Sequence, residues 1–151
     1  MRIEIVIRPA CPEDAGAICA VSAEALGYPS DALRVRRRLS RLDASREAAF
    51  VAVVDGAPIG FVHVERYDLL FAETMANLLG LAVKSEYRGQ GIGARLLREA
   101  EHWAASQGIA AMRLNSGAHR SGAHAFYRRS GYVDDGEQLR LVKALVPARK
   151  E

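Results

Sequence analysis

The stretch from Met75 to Leu97 constrains the chain most, because it joins different periodicities without a gap. Leu78 to Val83 is a nearly uninterrupted apolar run, too short for an ordinary helix, and reads as the end of a buried strand. Tyr87-Arg88-Gly89-Gln90-Gly91-Ile92-Gly93 then breaks the pattern with alternating glycines. From Ile92 the apolar and small residues recur as Ile92, Leu96, Leu97, Ala100, Trp103 and Ala104, the spacing of one buried helical face. The order is strand, glycine-rich turn, helix. In such a turn a ligand can approach the backbone closely, and the first amides of the helix have no internal partner. The helix dipole adds to their preference for an anion, so phosphate or pyrophosphate is the expected ligand.

What the loop lacks narrows the ligand. A nucleoside-triphosphate loop ends in Gly-Lys-Ser/Thr, but Gly93 is followed by Ala94 and Arg95. A dinucleotide fingerprint needs a third glycine where Leu96 stands, and no second strand-helix-strand unit is evident. The pattern that fits is Arg88-x-x-Gly91-x-Gly93 after an apolar strand. It resembles the acyl-coenzyme A signature of the GNAT N-acetyltransferase superfamily. Downstream, Ala123-His124-Ala125-Phe126-Tyr127-Arg128-Arg129-Ser130-Gly131-Tyr132 resembles that family's A-x-x-x-Y-x-x-x-G-F/Y segment.

With 151 residues the chain suits one domain, expected to span residues 1–151. Half the residues are hydrophobic, yet no run approaches the roughly 20 apolar residues of a membrane span. Met1 to Arg8 carries charges inside its apolar stretch and reads as a strand rather than a signal peptide, so a cytoplasmic location is expected. Cys11 and Cys19 fit neither a zinc pair nor a disulfide framework and are read as thiols. The net charge of +3 suits a polyanionic ligand without choosing one.

Ile3 to Ile7 is expected as the first strand, followed by a helix opened by Pro12, Glu13 and Asp14 and broken at Gly27-Tyr28-Pro29. Ser30 or Asp31 caps a second helix to about Leu42, with Leu33, Leu39 and Leu42 inward. Its arginines, Arg34, Arg36, Arg37, Arg38 and Arg41, are read as a solvated face rather than a nucleic-acid surface, because no aromatic residues interleave with them. Ala48 to Val54 and Ile59 to Glu65 form a hairpin around Asp55-Gly56. After the glycine loop and its helix come a strand from Ile109 to Leu114 or Asn115, a helix from Gly122 to Ser130, and closing strands at Tyr132-Val133 and Gln138 to Leu145. The expected class is α/β with a mixed sheet, in the order β-α-α-β-β-β-α-β-α-β(-β). The resemblance implies the GNAT fold, with the sheet splayed between its fourth and fifth strands.

The resemblance also implies roles. Backbone groups of Leu81-Ala82-Val83 would pair with the pantetheine of acetyl-coenzyme A, and the amides of Arg88, Gly89, Gln90, Gly91, Ile92 and Gly93 would hold its pyrophosphate. Tyr127 would lie beside the sulfur and protonate the departing thiolate, a task suited to a phenol that remains a donor at neutral pH. Many relatives carry Asn seven residues before this tyrosine. Arg120 stands there, a cation that can reach a phosphate. Where some relatives place a catalytic Glu, the chain has Asn77, which cannot act as a base and is expected to touch the acceptor. Glu73, on the same expected strand, could take the proton through water, with Glu65 and His63 as alternatives. Tyr28 is placed in the acceptor mouth. His102, His119 and His124 share no metal spacing with carboxylates, so no metal is expected. The implied function is acetyl transfer to a primary amine by direct attack in a ternary complex. The alternative is a non-catalytic acyl-coenzyme A binding or regulatory domain. Many members of the family are dimers, so a homodimer is among the expectations.

Overall fold

β3, Ala57–Tyr67, is the central strand of the structure, and everything that positions the candidate site is built beside it. The computed structural model describes residues 3–27, 30–118 and 120–146. The elements are β1 (Val6–Pro9), α1 (Ala15–Leu26), α2 (Ala32–Ser40), β2 (Glu47–Val54), β3, β4 (Met75–Val83), α3 (Ile92–Ser106), β5 (Met112–Leu114) and α4 (Ser121–Arg129). They fall into two compact units, Met1–Asn115 and Ser116–Glu151.

In the first unit the strands lie in the order β1-β2-β3-β4-β5, antiparallel as far as β4 and parallel between β4 and β5, so the expected mixed sheet is present. Asp55 and Gly56 both take positive φ, 49° and 79°, which is the two-residue turn whose twist matches a hairpin. The β2–β3 register shifts beside Pro58, which has no N–H to give the ladder. A second shift, between His63 and Val64, leaves Leu79 of β4 out of register as a bulge.

The core is formed by Val51, Val62 and Val64 of the sheet with Ile92, Leu96, Leu97 and Ala100 of α3, all essentially inaccessible. Trp103, expected on the same face, is only half-buried. Fully burying each large apolar side chain stabilises by about 1.5–3 kcal/mol. α3 ends as its glycine foretells. Gly108 at φ 77° lets its own N–H reach Ala105 O and the Ile109 N–H reach Ala104 O, both at 3.0 Å. Ile109 and the next two residues are spent on this cap and connection, so β5 begins only at Met112.

β1 is likewise shorter than expected and is clamped to α1 by the buried Asp14. Arg8 Nη1 and Nη2 donate to its two oxygens at 2.8 and 2.9 Å. That fork, with the Cys11 N–H, holds the Asp14 carboxyl below the usual carboxylate range. α2 is capped by Asp31, which accepts from the Leu33 N–H at 2.9 Å. Leu33 itself is exposed, and Val35 and Leu39 of the helix, with Leu42 just past its end, are half-buried instead. The α2 arginines are all exposed.

The second unit contains α4, whose Arg128 grips Asp134 through two 2.9 Å hydrogen bonds. The closing strands expected at Tyr132-Val133 and Gln138 to Leu145 are not formed, and Val133, Leu139, Leu141, Val142 and Leu145 are exposed. Alternation of apolar residues makes a strand only where a neighbour takes its N–H and C=O groups. This stretch has no ladder partner among the described residues.

Candidate active site

Two features of the first unit leave backbone groups without partners among the described residues, and they adjoin. The last β4–β5 pair is Leu78 with Leu114, but β4 continues to Val83 bonded to β3 alone. The Lys84 N–H donates to Ile59 O at 2.8 Å, which fixes the alternation of that ladder. Gly80 and Ala82 therefore turn their backbone groups toward β3, whereas Leu81 and Val83 turn theirs to the open edge. Ala82 corrects the expectation that all three residues of the triplet offer backbone groups. The Leu79 bulge sets this parity, since before it Ala76 faces β5, its N–H donating to Ala111 O at 2.9 Å.

Beyond Val83 the chain makes one turn of 3₁₀ helix, Ser85–Tyr87, and enters the glycine loop. Gly89 and Gly91 take φ of 78° and 77°, a region in which an L side chain is strained, and Gly91 is the residue before the first turn of α3. The first intrahelical bond is Arg95 N–H to Gly91 O at 3.1 Å. The amides from Gly89 to Ala94, including those of Gln90, Ile92 and Gly93, have no acceptor among the described residues. Ile92 contributes only its amide, because its side chain is buried in the core. Arg88 is exposed at the start of the loop.

The loop is tied down from α1. Glu24 Oε1 accepts from the Ser85 N–H at 2.7 Å and from its hydroxyl at 2.5 Å. These two donors hold the Glu24 carboxyl below its ordinary range, with Lys84 and Arg88 assisting.

A polar row crosses the same sheet one residue before the edge opens. Asn77 Nδ2 donates to Glu65 Oε2 at 2.8 Å, and Asn77 Oδ1 accepts from Arg113 Nη1 at 2.9 Å. Arg113 also bonds Asn115 and lies 4.4 Å over the Tyr67 ring. His63 Nε2 bonds Glu47 at 2.8 Å, and Glu47 sits directly opposite Glu65. Glu73 lies outside this row, exposed in the loop before Met75, so the strand parity expected for it does not exist. Tyr28 and His119 lie outside the described residues. Arg113 and Glu47 were not singled out from the sequence, since only the strand register reveals them.

In the second unit Tyr127 packs edge-on against Phe126 and Tyr132, with ring centroids 5.1 and 5.8 Å away. Burial raises its pKa above that of an ordinary phenol, and the Arg120 charge partly opposes this. A phenol in that state keeps its proton at neutral pH and is a hydrogen-bond donor. Arg120 is the residue before α4, and its carbonyl accepts from the His124 N–H at 3.1 Å. No group of three His, Cys, Asp or Glu that could hold a metal ion is present among the described residues. No helix there is long and apolar enough to cross a membrane.

An edge with two free backbone positions accepts an amide-bearing chain as an added strand, and a run of unpartnered amides at a helix start accepts a diphosphate. The residues present therefore fit coenzyme A, whose arm carries amides and whose other end carries a pyrophosphate. A family model described as Acetyltransferase (GNAT) family matches residues 17–132. An aminoalkylphosphonate N-acetyltransferase of Salmonella typhimurium is 30% identical over 142 residues, covering 92% of this chain and 90% of that protein. An uncharacterized N-acetyltransferase of Methanocaldococcus jannaschii is 33% identical over 101 residues. That match covers 64% of this chain, and the chain spans less than half of the relative's length, 45%. Among solved structures, the aminoglycoside N-acetyltransferase AAC(6')-Iy in complex with CoA has the same fold at a TM-score of 0.80. It is 18% identical, with 97% of this chain and 98% of that one covered.

Proposed function

The chain belongs to the acetyltransferase (GNAT) family, and from that premise we propose that it transfers an acetyl group from acetyl-coenzyme A to a primary amine by direct attack in a ternary complex. The observation that carries this reading is the open edge at Leu81 and Val83 running straight into the unpartnered amides of residues 89–94. Leu81 and Val83 would hold the pantetheine arm as an added strand, and the loop amides with Arg88 would hold the pyrophosphate. The thioester supplies an activated acetyl group. Tyr127, kept protonated by burial, is the proposed donor to the departing sulfur. The family match begins in the first compact unit and continues into the second as far as residue 132, which supports reading the two units as parts of one catalytic domain.

For the acceptor, the Salmonella relative's name and the aminoglycoside-modifying neighbours support a small amine that is cationic before reaction. Calorimetry with acetyl-coenzyme A, followed by release of free thiol with an aminoalkylphosphonate, neamine and a peptide with a free amino terminus, tests the proposal. Absence of binding removes it. Binding without transfer to any of these amines would favour an acyl-coenzyme A binding domain instead. Tyr127→Phe is expected to lower kcat by about 10- to 100-fold, within or just below the usual range for losing a general acid, with acetyl-coenzyme A affinity nearly unchanged. An unaltered rate would dismiss the acid role and leave the enzyme class standing.

A further inference from the structure

The row Glu65–Asn77–Arg113 has an orientation that the donors and acceptors dictate. Turned over, the Asn77 amide would face its NH₂ to a guanidinium and its oxygen to a carboxylate, losing both hydrogen bonds. Arg113 is itself fixed by Asn115 and the Tyr67 ring. Asn77 therefore has a bound partner on each side, and what it holds in place is one oxygen of Glu65. The other, Oε1, has no partner among the described residues, and Glu65 is only half-buried.

The position of that oxygen matters. Asn77 is the residue before the last β4–β5 pair, and Leu79, the bulge, is two residues further on. On the face of the sheet that carries Glu65, the β4 residue next after the bulge is Gly80, which brings no side chain and lies opposite His63. A carboxylate oxygen of a half-buried residue, without a partner among the described residues, thus stands beside the place where the edge opens. Among the alternatives, Glu73 is in an exposed loop, and His63 is turned back toward Glu47 on β2.

Resting on the acetyltransferase reading above, we propose that Glu65 takes the proton from the acceptor amine, and that Asn77 is the positioning residue for Glu65 rather than a contact of the acceptor. The acceptor enters as an ammonium and passes one proton to Glu65, which releases it to bulk water. The neutral nitrogen then bonds to the acetyl carbon as the carbon–sulfur bond of acetyl-coenzyme A breaks. Its second proton leaves through the same carboxylate, and the departing sulfur gains one, so each turnover releases one proton overall.

Glu65 faces Glu47 on β2, which is bound to His63, Asn77 on β4, and Arg113 beyond it on β5. The one acid of α1, Glu24, is engaged with Ser85, and Arg46, ahead of β2, pairs with Asp68 at 3.8 Å. Asn77→Asp replaces the amide that donates to Glu65 with a second carboxylate, so two like charges then face each other across β3 and β4.

The test measures acetyl-coenzyme A affinity by calorimetry and the pH profile of kcat/KM with the best of the three amines named above. Glu65→Gln is expected to lower kcat about 100-fold or more, with the acetyl-coenzyme A Kd within about twofold of wild type. Asn77→Asp is expected to move the acid limb of the profile up by about one pH unit, and Asn77→Ala to move it less in the same direction. A Glu65→Gln enzyme with the wild-type rate overturns the inference while leaving the acetyltransferase reading intact. So do Asn77 variants that lose activity with the acid limb unmoved, because a purely structural role lowers the melting temperature without moving a titration. A wild-type protein that neither binds acetyl-coenzyme A nor acetylates any of the amines removes both.

Discussion

The glycine loop and the polar row lie within one unit, one following β4 and the other crossing it, yet they are built from opposite materials. The loop, residues 87–94, is contiguous chain, and what it offers is backbone N–H. The row joins Glu65, Asn77 and Arg113 from three strands, with Glu47 from a fourth, and it offers side chains. A contiguous backbone site needs only a few residues with the right φ and depends little on distant register. A cross-strand row exists only if every strand is in its place, since a slip of one residue would turn each of these side chains to the other face. The bulge at Leu79 belongs to both, for it sets which backbone groups reach the edge and where the row ends relative to it.

The strongest way to break this contrast is to disturb what both regions stand on. Leu96 is fully buried in α3, and its Cδ1 lies 3.2 Å from where a Cβ on Gly60 of β3 would be. Leu96→Ala is expected to cost about 3 kcal/mol of stability, read as a shift in the urea midpoint. Acetyl-coenzyme A affinity and amine turnover should then fall together. A variant that lost one and kept the other would show that the loop and the row do not share this support.

Gly91→Val separates the two regions. At φ 77° a β-branched side chain is strained by about 1–2 kcal/mol, although the space around the position is open. Acetyl-coenzyme A affinity is expected to fall about tenfold or more as the amides are misaligned, since about 1.4 kcal/mol is a factor of ten. The pH profile of kcat/KM should keep its shape, because no member of the row has moved. A shifted acid limb in this variant would mean that the two regions are coupled through β4.

This division also explains what could be read in the sequence. The loop was legible because its signals are local: an apolar run, glycines where φ is positive, and a 3.6-residue stripe from Ile92. The hairpin at Asp55-Gly56 and the α3 cap at Gly108 were legible for the same reason. The row was not, because nothing near Asn77 in sequence announces Glu65 twelve residues earlier or Arg113 thirty-six residues later. The expectation for Glu73 rests on a strand parity that does not reach it, since β4 begins only at Met75. Residues 138–145 gave the converse error, since their alternation is real but a strand is a relation between two segments.

The smallest expected effect concerns the tether between α1 and the loop, where the local site depends on a distant side chain. Ser85 gives Glu24 two hydrogen bonds across sixty-one positions of sequence, and both favour the ionised carboxylate. A carboxyl whose pKa is lower folded than unfolded contributes stability that is fully present above its unfolded pKa. That contribution is lost as pH falls through the lowered folded value. The loop should therefore stay tied through neutral pH and loosen only in acid, below the ordinary carboxylate range. Glu24→Gln keeps an oxygen that can accept from Ser85 but discards the charge, so acetyl-coenzyme A affinity at neutral pH should fall by only a few-fold. Its decline in acid should be shallower than that of wild type. An equally steep decline in the variant would assign the acid sensitivity to another group and leave the loop as self-contained as its sequence suggests.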